Sequence, residues 1–200
     1  MSKNVLIIVD PQNDFISGSL AVKDADKVMD GLVSKLRRNK REYTSIIITM
    51  DSHPKDHISF ESQGGQWPEH CVMLTEGWNM YPPLEEYKRE NPDQIVINTV
   101  YKGTDPQREE YSAVDNDMNK DIVNGICGDA DRIDVCGIMS EYCVLDTVKG
   151  LCDMKPTDGN KPYGERINIL FDYTATADNH KKLIDFVVQK KILCSGTSCC

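Results

Sequence analysis

The 200-residue chain lacks any apolar run near the ~18 residues that a membrane-spanning helix needs. It is also short of positive charge, with 23 Lys and Arg against 32 Asp and Glu. The balance of −9 argues against nucleic acid or an anionic membrane as partner. No Cys-x-x-Cys pair occurs. There is no internal repeat and no break in composition. One domain is therefore expected over residues 1–195, with 196–200 as a frayed tail. The opening ten residues run directly into a strand-like segment without the layout of a leader, and the expected location is cytoplasmic. Eight cysteines remain to be explained. Cys127, Cys136 and Cys152 lie in or beside apolar segments, where a free thiol packs as a small hydrophobe, so free thiols rather than disulfides are expected.

What the chain does have is short apolar runs alternating with helical spacing. Buried strands are predicted over residues 5–9 (VLIIV), 45–49 (SIIIT), 94–98 (QIVIN), 131–138 (DRIDVCGI) and 167–171 (INILF). Apolar residues recur at helical spacing over 24–38, 143–153 and 179–190, and residues 111–128 hold a short helix or two. Long irregular segments at 51–76 and 155–166, and loops at 12–21 and 99–106, complete the chain. This alternation defines an α/β domain with a doubly wound (Rossmann-like), mostly parallel sheet flanked by helices.

In such a sheet the residues that follow the strands meet at one edge. Asp10, Asp51 with His53, Lys102 and Cys143 each follow a predicted strand. Cys143 falls on the first turn of its helix, where unpaired N–H groups favour the thiolate. A thiol, a carboxylate to take its proton and an ammonium to hold both anions make a nucleophilic triad of Asp10, Lys102 and Cys143. Asp51-x-His53 places two ligand types on one side of an extended segment, and His70 returns from the loop. One carboxylate and two imidazoles suit Zn²⁺, Mn²⁺ or Fe²⁺, and a hydrogen-bonded loop cluster is the competing reading. His57 is either a further ligand or a surface or supporting residue; His180 reads as structural.

Six segments carry a more specific signal. They are residues 9–15 (VDPQNDF), 51–54 (DSHP), 67–72 (WPEHCV), 101–106 (YKGTDP), 111–113 (YSA) and 137–144 (GIMSEYCV). In this order and spacing the chain resembles the nicotinamidases of the isochorismatase-like cysteine hydrolase family, over roughly residues 4–180. The resemblance implies Cys143 as nucleophile, Asp10 as general base and Lys102 as third member. It implies one divalent cation, zinc first, on Asp51, His53 and His70, which positions a pyridine ring. The backbone amides of Met139 and Cys143 form the oxyanion hole after a cis Ile138–Met139 peptide. Phe15, Trp67 and Tyr111 wall the ring. The implied substrate is nicotinamide, in NAD salvage, with pyrazinamide as an isostere; assembly as a homo-oligomer is left open. A hydrolase of the same fold acting on another small amide or ureido compound is the alternative. So is a silent binding protein. The chain departs from the usual small-Thr-Asp before the aromatic-Cys pair by carrying Met139-Ser140-Glu141.

Overall fold

β1 (Asn4–Val9) is an unbroken run of apolar, mostly β-branched residues, and burial on both faces follows from that. Its side chains alternate between two cores. Val5, Ile7 and Val9 join one, and Leu6 and Ile8 the other. The computed structural model describes residues 2–91, 95–156 and 160–197. Around β1 lies a six-stranded sheet in the order β3-β2-β1-β4-β5-β6, every described pair parallel. β2 is Ser45–Asp51, β3 Val96–Lys102, β4 Arg132–Gly137, β5 Ile167–Thr174 and β6 Leu193–Ser195. The helices are α1 (Asn13–Ile16), α2 (Ala25–Arg38), α3 (Pro82–Glu90), α4 (Asp117–Cys127), α5 (Leu145–Asp153) and α6 (Lys181–Lys190). α2 and α3 cover the Leu6/Ile8 face; α4, α5 and α6 cover the Val5/Ile7/Val9 face. This is the doubly wound α/β sheet expected from the alternation of elements. No helix among the described residues is long and apolar enough to cross a membrane.

Several elements differ from the sequence expectation. The third strand runs to Lys102 instead of ending at Asn98, and Gln94 lies outside the described residues. β3 is an edge strand that pairs through its whole length with β2, Ser45↔Val96 to Asp51↔Lys102. Backbone pairing, not an apolar run, sets its length. The segment assigned to loop at 12–21 contains α1, and α3 and β6 were not anticipated. α3 starts with Pro82 in its first turn, a position where a missing N–H costs nothing. Cys194 on β6 is disulfide-bonded, against the expectation of free thiols throughout. Cys71, Cys127, Cys136, Cys143 and Cys152 are free. Of the segment 196–200, Thr197 donates from its N–H and its hydroxyl to Asp172 Oδ1 (2.8 and 2.9 Å), and residues 198–200 lie outside the described residues.

Strand order reverses between β1 and β4, and the crevice beyond their carboxyl ends is where such sheets take ligands. Gly137 closes β4 there. Its φ is +128°, and a Cβ would stand 2.2 Å from the Val9 carbonyl oxygen. Only glycine lets β4 lie this close to β1 while Ile138 N–H donates to Val9 O at 2.8 Å. The following Ile138–Met139 peptide is cis, in agreement with the resemblance. Gly137→Ala is expected to destabilise the fold by roughly 1–3 kcal/mol or more. An unchanged urea midpoint would show that the strands part without cost.

Candidate active site

Asp10, the residue after β1, adopts a left-handed backbone (φ 48°) and is fully buried. Its N–H donates to Thr49 O and Oγ1 (3.1 Å each), and the Thr49 hydroxyl donates back to Asp10 Oδ1 at 2.6 Å. Asp51 ends β2 and Lys102 ends β3, and the parallel register sets them side by side. The Lys102 ammonium is 2.8 Å from Asp10 Oδ2, bonds Asp51 Oδ1, and donates to Cys143 Sγ at 3.5 Å. Ligand atoms of Asp10, Asp51 and Cys143 all lie within 4.8 Å of one another. The four strand-end residues predicted to converge therefore do.

Burial pushes the Cys143 thiol well up; Lys102 opposes this, and Asp10 and Asp51 reinforce it. Burial thus acts against the thiolate that the start of a helix would favour. Cys143 lies within a five-residue π-type turn, Ser140–Val144, and α5 begins only at Leu145. Burial likewise raises Asp10 above the usual carboxylate range, against the pull of Lys102. Burial acts against the charge of Lys102 as well, but Asp10, Asp51 and Cys143 outweigh it and keep the ammonium protonated. For Asp51 burial is overcome by Lys102, His53 and His70, so it stays ionised.

Asp51, His53 and His70 bring three ligand atoms within 4.8 Å of one another. His53 Nδ1 lies 3.0 Å from Gly103 O and His70 Nδ1 2.8 Å from Pro68 O. A carbonyl only accepts, so each Nδ1 carries the proton and each Nε2 presents a lone pair. Those two Nε2 atoms face Asp51 Oδ2, at 3.6 and 3.9 Å. Burial lowers His70, which favours the neutral ring a cation requires. One carboxylate oxygen and two imidazole nitrogens suit a divalent cation. His57 is placed differently. It accepts at Nδ1 from the Ser59 hydroxyl (2.6 Å), and its Nε2 meets Arg108 O (3.0 Å), so both nitrogens are engaged while its ring packs 4.1 Å from His53. His180, next to α6, meets Ser140 Oγ at 2.9 Å through Nδ1.

The aromatic residues surround this centre. Phe15 packs 5.5 Å from His70; Trp67 Nε1 donates to Tyr111 OH at 2.9 Å, and Trp67 meets Tyr142 edge to face at 5.0 Å. Sequence reasoning missed Phe60, whose buried ring abuts His53, His57 and His70 at 5.5–5.8 Å. It also missed Gln12. This buried amide accepts from Asp51 N–H at 2.7 Å and donates to Asp51 O at 2.8 Å, clasping the peptide frame of the residue that joins the two clusters. Gln12 stood inside the quoted 9–15 segment, but its partner is backbone, which no side-chain pattern reveals.

A model of the isochorismatase domain matches residues 4–154. The chain is 28% identical to the nicotinamidase of Saccharomyces cerevisiae, over 92% of this chain and 94% of that one. It is 30% identical to a nicotinamidase/pyrazinamidase of Mycobacterium tuberculosis, over 72% and 76% respectively. The solved pyrazinamidase of Pyrococcus horikoshii in complex with zinc superposes with a TM-score of 0.78 at 28% identity, over 96% of this chain and 98% of that one. An α/β hydrolytic site of this kind, on this sheet, has its class in those likenesses. The chain belongs to the isochorismatase-domain family, and within it the similarity runs to nicotinamidases.

His53→Ala and His70→Ala are each expected to weaken divalent-cation binding by at least about tenfold. His57→Gln should leave one cation bound per chain. Competition titration with a chromogenic chelator, checked by elemental analysis, measures both. Loss of the cation in the His57 variant alone would reverse the ligand assignment.

Proposed function

We propose that this protein hydrolyses nicotinamide to nicotinate and ammonia through a thioester on Cys143, in the cytoplasm. The observation that carries the reading is that Asp51 belongs to two clusters at once, one oxygen bonded to Lys102 and the other turned to His53 and His70. The nucleophile's cluster and the cation-type cluster form one buried centre. Nicotinamide has a carboxamide and a ring nitrogen on one rigid frame, which matches two linked subsites. The likeness to nicotinamidases over nearly the whole chain supports the same substrate.

Asp51, His53 and His70 would hold one divalent cation, with zinc proposed, and when bound it supplies a Lewis-acid site for the ring nitrogen lone pair. Phe15, Trp67 and Tyr111 stack and enclose the ring. Asp10, raised by burial, takes the proton from the Cys143 thiol as sulfur attacks the carboxamide carbon. The carbonyl oxygen gains the charge and rests on the amides of Met139 and Cys143. Asp10 returns the proton to the departing amine, and ammonia leaves. A water molecule, its proton drawn off by Asp10, then attacks the thioester. The tetrahedral species collapses to nicotinate and the thiol recovers its proton. Lys102 stays charged throughout and keeps Asp10 beside the sulfur.

Ammonia release from nicotinamide tests the assignment. Cys143→Ala is expected to abolish turnover while still binding nicotinate, and thorough chelation should remove activity that zinc, manganese or iron restores. Full turnover by the alanine variant would end the covalent mechanism. Full activity in verifiably cation-free protein would end the role given to Asp51, His53 and His70.

A further inference from the structure

The turn that carries the nucleophile is held from one side by the segment between β5 and α6. Ala175 N–H donates to Gly137 O and Ser140 N–H donates to Ala175 O, at 2.9 Å each. Those two bonds use backbone alone. The third tie is a side chain. Glu141, half-buried, reaches across so that its Oε1 accepts from the Thr176 hydroxyl and from Asp178 N–H (3.0 Å), while Oε2 lies 3.4 Å from Ala177 N. Within the turn, Tyr142 N–H and Val144 N–H both donate to Met139 O at 3.2 Å. Glu141 therefore stands between the two residues assigned to the oxyanion hole, Met139 and Cys143. It is the only side chain on 139–143 with hydrogen bonds to three successive residues of another segment among those described.

We infer that Glu141 is a positioning residue: by clamping residues 176–178 it fixes the height of the Ser140–Val144 turn and so the aim of the Met139 and Cys143 amides and of the Cys143 sulfur. It touches neither substrate nor reacting atoms, and its effect passes through the turn. The inference rests on the proposed function for the identity of the reaction, but not for the existence of the clamp. The carboxylate must span from the turn to three residues beyond β5, and Oε1 alone collects the two shorter bonds. An amide with its oxygen at that place retains both. Hydrogen-bond acceptance, rather than charge, is thus the property that matters.

Three variants separate these possibilities. Glu141→Ala is expected to lower kcat by up to about 100-fold with KM changed little, because a displacement on the ångström scale costs that much in attack geometry. Thr176→Val, which removes one bond at the other end, should lower kcat in the same direction by a smaller factor. Glu141→Gln should recover most of the rate. Hydrogen exchange of the peptide spanning 138–145 gives a readout that needs no substrate. It should quicken in the alanine variant and stay near wild type in the glutamine variant. Wild-type kcat and exchange in Glu141→Ala overturn the inference, and so does a glutamine variant as slow as the alanine one. A wild-type protein that releases no ammonia from nicotinamide overturns the functional reading, while the exchange comparison still decides for or against the clamp.

Discussion

The fully buried Lys102 ammonium is the charge around which this centre is arranged. An unpaired ammonium in a protein interior costs several kcal/mol, and one carboxylate in good geometry does no more than offset that. Lys102 has two, Asp10 at 2.8 Å and Asp51, with the Cys143 sulfur at 3.5 Å. None of the three comes from a neighbouring position in sequence. Their contact is a consequence of strand order: β1 supplies Asp10, β2 supplies Asp51, β3 supplies Lys102, and the Asp51↔Lys102 register leaves them abreast. A one-residue slip of β3 would turn the lysine to the opposite face and leave two buried carboxylates uncompensated. The register of an edge strand is thereby tied to the site's electrostatics.

The distribution of charge also divides the labour between the two aspartates. Asp51 gives one oxygen to Lys102 and turns the other to His53 and His70, so it remains ionised. Asp10 has a similar lysine contact but deeper isolation, and burial raises it. The Cys143 thiol is raised as well. A base raised above the ordinary carboxylate range takes a thiol proton with less loss than an unperturbed carboxylate would. The sulfur then becomes nucleophilic as it attacks, without a standing thiolate in the resting protein. Asp51, held as an anion, is the better-suited of the two to face a cation.

Much of this was legible in the sequence. The β-branched runs at 5–9 and 45–49 are central strands because only a doubly covered position tolerates them. Residues that follow such strands had to meet at one edge. The edge strand was read short because Val96 and Tyr101 are exposed and its pattern alternates, so no apolar run marks its end. α3 carries only Leu84 and Tyr87 inward over nine residues, too sparse a stripe to announce a helix. The helix start near Cys143 was visible in the sequence, but the burial and the two carboxylates that act against its thiolate come from segments far apart in the chain. Spacing marked His53 but left His57 open; what settles the place of His57 is that neighbouring groups engage both of its ring nitrogens, while His53 bonds Gly103 O through Nδ1 and turns Nε2 to Asp51.

Most contacts that orient the site end on backbone. His53 is set by the Gly103 carbonyl, His70 by that of Pro68, Asp51 by Gln12 through its own peptide groups, and the nucleophile's turn by Val9, Gly137 and Ala175. A carbonyl oxygen offers the same acceptor whatever side chain its residue carries. Most positions that hold the site can thus vary while its geometry persists. Exceptions arise where a neighbour approaches the backbone too closely for a Cβ: at Gly137 against the Val9 backbone, and at Gly103, where an added carbon would stand 2.3 Å from the His53 ring. A site supported in this way should leave few identities fixed and the fold nearly unchanged. That is the relation seen with the pyrazinamidase of Pyrococcus horikoshii, at 28% identity and a TM-score of 0.78. The constraint acts on strand ends and their spacing, and side-chain identity is required only where charge, thiol, imidazole or the absence of a side chain is itself the function.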